Sequence, residues 1–239
     1  YQNANLVVAG DFRTAPWQQG TTFTAFNDGA YATDNWIANS DGNGIFHIIQ
    51  DTDLSCKFII DAINKQFGFV QLFEYEKIAP VTDFGHASII IEMKGTNLTN
   101  MRCALLAWTG TKDAPTKDVV GTWAGGGVNP SWAAGYTAEN VATDLVLTSD
   151  YTEYKISNII LDTPSTNNLA LVIWTDDTTI PIGATLNIRR VKLEPAQVAT
   201  EFNYISPADS FLECAAYYDK TFSKGVAPAA GTGDYNGIL

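Results

Sequence analysis

The chain has 239 residues, of which 46% are hydrophobic and 17% charged, and its net charge is −12 at pH 7. This length suits one large domain that buries enough apolar surface to fold without a metal or a disulfide. Because the acidic excess repels phosphate backbones and anionic lipid surfaces, we expect neither nucleic-acid binding nor membrane insertion. No apolar run approaches the length of a membrane-spanning helix.

The residue pattern along most of the chain is that of an all-β protein. Short apolar or alternating segments are separated by Gly, Asn, Asp and Pro. The predicted strands cover residues 6–8, 31–38, 45–50, 56–60, 67–75, 87–94, 102–109, 145–148, 152–159, 169–175 and 186–193. Nothing between them has helix-length periodicity, so the sequence predicts a two-sheet antiparallel jelly-roll sandwich.

One helix is predicted near the end of the chain, over about residues 207–223. Ser206 suits the N-cap, Pro207 the first helical position, and Asp209 the acidic first turn. One apolar helical face is predicted from Phe211, Cys214 or Ala215, Tyr218 and Phe222. That face must be covered, either by an open side of the sandwich or by a neighbouring copy of the chain.

The predicted organisation is a β-sandwich over residues 1–205, the short C-terminal helix over 206–225, and a Gly/Ala-rich tail or linker to a further domain over 226–239. The sequence begins at Tyr1 rather than at Met. We therefore expect a processed product or a piece of a longer chain.

Residues 110–141 are the least strand-like part of the chain, and we predict a long loop between two strands. Aromatic rings cover the apolar faces of sugars, while amides bind the hydroxyls. The predicted ligand-binding residues of this loop are Trp123, Asn129, Trp132 and Tyr136. The alternatives are that the rings fold back to cap the core or that they contact another subunit. The remaining tryptophans are predicted core residues: Trp17, Trp36, Trp108 and Trp174.

Several segments together resemble phage structural proteins that carry a carbohydrate-binding-type jelly roll. The matching segments are residues 5–12 (NLVVAGDF), 17–24 (WQQGTTFT), 31–36 (YATDNW), 87–94, 191–194 (VKLE), 198–202 (VATEF) and 211–218 (FLECAAYY). They occur in the family's order and span the chain from about residue 5 to 228. The departures are Glu201, where the family has proline, and Ala215-Ala216, where it has Gln-Arg.

This resemblance implies a bacteriophage virion structural protein: a tail fibre, tail tip, head fibre or decoration protein. It implies a homo-oligomer, commonly a trimer, on the surface of the particle, with other virion proteins and a host cell-surface polysaccharide as partners. Related sugar-binding jelly rolls carry a calcium ion bound by an acid near the G-D-F motif and an acid in the last strand. Here Asp11 is present, but Arg189 and Arg190 stand in the last strand, so we expect no calcium and no other cofactor.

Three functions follow as alternatives: host attachment through sugar binding, a purely architectural or cementing role without a glycan ligand, and a depolymerase or hydrolase subunit. We expect no catalysis, because neither His47 nor His86 lies in a nucleophile motif or at metal-ligand spacing. Three sequence-local acid pairs could serve glycoside hydrolysis, although we expect them to be solvated surface charges: Asp51 with Asp53, Glu74 with Glu76, and Asp176 with Asp177.

The three cysteines have no short spacing that would suggest zinc binding. Free cysteine behaves as a small hydrophobe, so all three are predicted to be buried thiols, which fits assembly in a reducing cytoplasm: Cys56, Cys103 and Cys214.

Overall fold

A computed structural model describes residues 4–13, 15–18, 20–24 and 27–215. The strands, in chain order, are β1 (Thr22–Phe23), β2 (Ala30–Tyr31), β3 (Ile37–Ser40), β4 (Phe46–Gln50), β5 (Cys56–Ile60), β6 (Phe67–Phe73), β7 (His86–Thr96), β8 (Asn100–Trp108), β9 (Val120–Thr122), β10 (Ser131–Trp132), β11 (Tyr136–Ala138), β12 (Leu145–Val146), β13 (Thr152–Ile160), β14 (Asn168–Thr175) and β15 (Thr185–Glu194). The helices are α1 (Tyr75–Phe84), α2 (Pro207–Ala215) and a 3-10 turn (Ala15–Trp17).

The strands form two large antiparallel sheets, which confirms the predicted sandwich. The six-stranded sheet has the order β1-β4-β5-β15-β7-β13. The seven-stranded sheet has the order β11-β8-β14-β6-β3-β2, and β12 pairs separately with β8. All of these pairings are antiparallel.

The inner faces of the two sheets enclose the main core, which is rich in aromatic rings. Trp36 stacks on Phe69 with ring centroids 4.6 Å apart, and Phe12 lies against both rings. Each fully buried side chain of this size contributes about 1.5–3 kcal/mol of hydrophobic stabilisation. The four tryptophans that the sequence assigns to the core are buried, as predicted: Trp17, Trp36, Trp108 and Trp174.

A second core lies on the outer face of the seven-stranded sheet. Strand β14 is buried along its whole length, because Leu169, Leu171 and Ile173 face the main core while Ala170, Val172 and Trp174 face the second core. The covering layer is residues 110–141, called the excursion below. It was predicted as a loop, but it contains the hairpin β9–β10 and strand β11. These strands have only two or three residues each, too few to show a period.

Helix α1 was not predicted. It connects β6 and β7, and it ends at Gly85, which has a φ of 74° and donates its N–H to the carbonyl of Val81. Only Ile78 and Val81 are buried, and Pro80 lies inside the helix without an N–H to donate. Both features weaken the helical signal in the sequence. Across the described residues, neither helix has the length and apolar character needed to cross a membrane.

Helix α2 begins as predicted. The N–H of Asp209 donates to Oγ of Ser206 at 3.1 Å, and that hydroxyl donates to the Asp209 carboxylate at 2.7 Å. Cys214 packs against Val8 and Ala9, so α2 is covered by the chain's own N-terminal segment. Phe211, assigned to the buried face, is instead about half exposed. Residues 216–223 of the predicted helix, and the predicted tail, lie outside the described residues.

Residues 6–8 do not form the predicted strand. Instead the segment runs beside β15, where the N–H of Leu6 donates to the carbonyl of Leu193 at 2.8 Å. The amide of Asn5 completes the pairing, since its Oδ1 accepts from Leu193 N–H and its Nδ2 donates to the Val191 carbonyl. A Cβ on Gly10 would lie 2.2 Å from the Val191 carbonyl oxygen, so this close approach requires glycine.

Candidate functional site

Two aromatic rings of the excursion are partly exposed on the outer face of the seven-stranded sheet. Trp132 meets Trp174 of β14 edge to face, with centroids 5.3 Å apart. Trp123 packs beside Gly68 of β6, where an added Cβ would lie 3.4 Å from the indole. Both tryptophans therefore contact the second core and still present part of their surface to solvent.

The other two predicted ligand residues, Tyr136 and Asn129, form hydrogen bonds within the protein. Tyr136 is buried against Trp108, with ring centroids 4.9 Å apart. Its hydroxyl donates to the Thr116 carbonyl at 2.7 Å, and burial raises the pKa of the phenol far above its usual range. Asn129 is exposed, but its Oδ1 accepts a hydrogen bond from Arg102 at 2.7 Å. Tyr136 therefore supports the excursion, and only the amide nitrogen of Asn129 is left for a ligand.

Arg102 belongs to a network of ion pairs and hydrogen bonds that connects the Gly-rich tip of the excursion, residues 125–127, to the sheet. It lies on β8, is only 6% exposed, and forms ion pairs with Asp144 at 2.7 Å and Asp176 at 3.3 Å. The Asp176 carboxylate also accepts the N–H of Gly127 at 2.8 Å. This network fixes the position of the loop that carries Trp123, so the ring has a defined orientation.

A pocket of about 220 Å³ adjoins the excursion at one end of β3 and β6. Ile37 and Leu72, which belong to the second core, form part of its wall, so the pocket continues the same outer face. We call it the Tyr31 pocket. The side chains that give it chemical character are Tyr31, Asn35, Glu74, Lys77, Asp113 and Lys117.

The aromatic wall of the Tyr31 pocket is a half-exposed ring. Tyr31 is 50% exposed, and the Lys117 ammonium lies 4.4 Å from its ring centroid. The sequence predicted a continuous strand over residues 31–38, but the chain turns at residues 32–35 between β2 and β3. Asn35 sits in this turn with a φ of 67°, in the left-handed region. The turn places Tyr31 and Asn35 on the same pocket.

Hydrogen-bond donors and acceptors surround this ring. Nδ2 of Asn35 is buried without a hydrogen-bond partner among the described residues. Glu74 is exposed at the N-cap of α1, and its carboxylate makes no cap hydrogen bond. Burial lowers the pKa of Lys77, while the charges of Glu213 and Glu74 oppose that shift. The pocket is thus lined by amide, carboxylate and ammonium groups.

Asp113 has a structural role in the same pocket. Its carboxylate accepts the N–H of Tyr75 at 2.8 Å and Nδ2 of Asn168 at 2.9 Å, and these bonds lower its pKa. The N–H of Asp113 in turn donates to Oδ1 of Asn168. These contacts join the excursion, α1 and β14 at the pocket, so its wall is fixed by three parts of the chain.

Most acids of the three candidate pairs contact other side chains of the protein. Glu74 and Glu76 are exposed, as expected, and they lie at the start of α1, because β6 ends at Phe73. The other candidate acids form ion pairs or hydrogen bonds with neighbouring groups: Asp51 with Lys57 and Asn187, Asp53 with Lys94 and Tyr151, Asp176 with Arg102 and the N–H of Gly127, and Asp177 with Thr99.

The two histidines lie apart from these acids. His47 pairs with Asp61 at 2.7 Å, and Nε2 of His86 lies 3.3 Å from the amide nitrogen of Gln197. Within residues 4–13, 15–18, 20–24 and 27–215, no three His, Cys, Asp or Glu side chains are grouped to hold a metal ion. Asp11, the acid of the calcium-binding pattern, accepts the N–H of Arg13, and Arg189 and Arg190 bond to Glu92. These residues do not fit a calcium site. The cysteines are free and buried, as predicted.

No protein-family model matches the chain, and no curated protein matches it. Among solved structures it is similar to TmCBM61 in complex with β-1,4-galactotriose, with 12% identity and a TM-score of 0.39 over 66% of this chain and 86% of the other. It is also similar to a family 30 carbohydrate-binding module of a Clostridium thermocellum cellulosomal cellulase, with 10% identity and a TM-score of 0.43 over 72% and 96%.

A third similar structure is the enzymatically active domain of bacteriophage CBA120 tailspike protein 4. The identity is 11% and the TM-score is 0.43, over 72% of this chain but 21% of the other. These similarities concern the fold alone.

Proposed function

We propose that this chain is a non-catalytic glycan-binding module whose site is the Tyr31 pocket, with Trp123 and Trp132 as further contacts on the same outer face. The observation that carries the proposal is the half-exposed ring of Tyr31 beside unengaged polar groups of Asn35 and Glu74. Sugar sites combine these features, because pyranose rings have an apolar face and a rim of hydroxyls.

In this proposal the sugar lies with its apolar face on Tyr31. The Glu74 carboxylate accepts hydrogen bonds from hydroxyls, while Asn35 and Lys117 donate to them. A pocket of about 220 Å³ suits one sugar ring, so Trp123 and Trp132, which do not line it, would contact neighbouring sugars of the same glycan. We therefore expect weak binding by each site, with a Kd of about 1 mM, or about −4 kcal/mol.

We further propose that the module belongs to the surface of a bacteriophage particle and helps to attach it to a host polysaccharide. The sequence segments that resemble phage structural proteins at both ends of the chain support this role. In a homo-oligomer, such as a trimer, several weak sites on one particle bind by avidity, so millimolar sites are sufficient for attachment.

A second candidate function is architectural, with no glycan ligand. It is favoured by the burial of Tyr136 and the hydrogen bond between Asn129 and Arg102, since both residues stabilise the excursion. In that case the outer face contacts other virion proteins. A hydrolase function would require turnover of polysaccharide that is lost on substitution of Glu74 or Glu76.

The test is titration of the purified chain with neutral oligosaccharides from host surface polysaccharide, followed by NMR. We expect Tyr31→Ala to abolish binding and the Trp123→Ala, Trp132→Ala double variant to weaken it. Phe84→Ala is the matched control, because Phe84 is also 50% exposed and is the last residue of α1, where its ring contacts His86 outside the pocket. If no sugar binds to a multivalent form of the chain, the glycan-binding proposal is wrong and the architectural function is favoured.

A further inference from the structure

A β-bulge on the six-stranded sheet places two arginines side by side. Ile188 pairs with Met93 and Arg190 pairs with Glu92, so Arg189 is an additional residue of β15 opposite β7. A bulge interrupts the alternation of side chains along a strand. As a result both Arg189 and Arg190 donate to the carboxylate of Glu92 on the outer face of this sheet.

Two tyrosines flank the paired arginines. The Arg189 guanidinium lies 4.2 Å from the ring centroid of Tyr151. On the other side, the guanidinium of Arg13 lies 4.2 Å from the ring centroid of Tyr204, and that of Arg190 lies 5.6 Å from it. Tyr204 is half exposed. We call Arg13, Glu92, Arg189, Arg190 and Tyr204 the arginine–tyrosine cluster.

The cluster holds more positive than negative charge. Arg189 occupies both oxygens of Glu92, and Arg190 uses only its Nε for the same carboxylate. Arg13 is 3.8 Å from Asp11, which is longer than a hydrogen bond. The terminal nitrogens of Arg190 thus bond to no described residue. When Asp11, the neighbour of Arg13, is counted with the cluster, three guanidinium groups face two carboxylates, which leaves an excess of one positive charge in a chain of net charge −12.

We propose that the arginine–tyrosine cluster binds a hexuronate, a sugar that carries a single carboxylate. The planar guanidinium of Arg190 suits a carboxylate, which it binds through two parallel hydrogen bonds, while the Tyr204 ring covers the apolar face of the sugar. The single excess charge matches one carboxylate. Dense polyanions are disfavoured, because the net charge of the whole chain repels them.

This site is separate from the Tyr31 pocket. The cluster lies on the outer face of the six-stranded sheet, and the pocket adjoins the outer face of the seven-stranded sheet. A host polysaccharide with occasional uronate residues in a neutral chain would then engage both faces. The hexuronate site does not depend on the Tyr31 pocket, although its role in attachment rests on the proposed function.

The test is titration of the chain with glucuronate, with glucose and inorganic phosphate as comparison ligands, followed by NMR of the arginine and tyrosine side chains. We expect glucuronate to shift the signals of Arg13, Arg190 and Tyr204, with an affinity that falls as salt is added. Glucose and phosphate should bind at least about tenfold more weakly, since each lacks either the carboxylate or the apolar ring face.

The variants separate a binding role from a folding role. Arg190→Lys keeps the charge beside Glu92 but loses the planar fork, and we expect it to weaken glucuronate binding about tenfold with an unchanged unfolding midpoint. Arg190→Gln should weaken binding further. The control is Lys155→Gln, because Lys155 is an exposed base on β13 of the same sheet that pairs with Glu153 at 3.1 Å. It should leave binding unchanged.

Some outcomes would overturn the proposal. Equal binding of phosphate or glucose would show that the cluster does not recognise a hexuronate, and equal loss in Lys155→Gln and Arg190→Gln would show an effect of overall charge. Tyr31→Ala separates the two proposals: we expect it to leave glucuronate binding intact. If neutral sugars do not bind while glucuronate does, the proposed sugar site in the Tyr31 pocket is wrong and the hexuronate site in the cluster is supported.

Discussion

The indole of Trp132 contacts the indole of Trp174 edge to face, with ring centroids 5.3 Å apart. Trp174 is fully buried on central strand β14, while Trp132 belongs to the excursion. The contact joins a segment that the sequence marks as irregular to the middle of the seven-stranded sheet. The excursion is therefore part of the folded unit, and its exposed rings are presented from a rigid base.

This contact predicts measurable coupling between the excursion and the sheet. Trp132→Ala should lower the free energy of unfolding by about 2 kcal/mol, because the ring is partly buried, and Trp174→Ala should lower it by about 3–5 kcal/mol. In a double-mutant cycle measured by urea denaturation, we expect a coupling of about 1 kcal/mol. Strictly additive effects would show that the two rings do not stabilise each other.

Arg102 provides a second test of how the excursion is held. Arg102→Met should destabilise the protein by about 3–5 kcal/mol, because it leaves Asp176, which is 3% exposed, as a buried charge without its partner. The matched control is Lys112→Met, which breaks the exposed pair with Glu76 and should cost less than about 1 kcal/mol. Both values come from urea denaturation, and similar losses in the two variants would contradict the burial argument.

The sequence predicted the sheets better than the pocket, for physical reasons. Segments with a continuous apolar or an alternating pattern, such as β5 and β14, can be recognised as strands from their own residues. Both strands lie where they were expected. The Tyr31 pocket carries no local signal, because its walls come from residues as far apart as Val8 and Asn168. It also depends on the turn before Trp36, which the apolar pattern of residues 31–38 conceals.

The buried cysteines predict slow thiol chemistry in the folded protein. Burial raises the pKa of the Cys214 thiol to about 12, and the nearby carboxylates of Asp34 and Glu213 add to this rise. Burial also raises the pKa of Cys56 and Cys103. Since the thiolate is the reactive form, we expect a colorimetric thiol reagent to modify none of the three at neutral pH and all three in urea. Rapid modification of one thiol in the folded protein would show that it is accessible.

Asp53 predicts a loss of stability in acid. Burial alone would raise its pKa, but hydrogen bonds from Ser55 and Tyr151 and the charge of Lys94 together lower it from 3.8 to about 2. Because the pKa is lower in the folded than in the unfolded state, the ionised carboxylate stabilises the protein above pH 3.8, and this contribution is lost as the pH falls toward 2. Asp53 is partly exposed, so we expect only about 1 kcal/mol.

The measurement is the free energy of unfolding of the wild type and of Asp53→Asn in urea, from about pH 6 down to about pH 2.5. The wild type should be more stable at the higher pH, and the difference should shrink as Asp53 becomes protonated in the wild type. Asp150→Asn serves as the control, because the exposed carboxylate of Asp150 forms no hydrogen bond within the described part of the chain. A difference that stays constant over the whole pH range would mean that ionisation of Asp53 does not stabilise the folded protein.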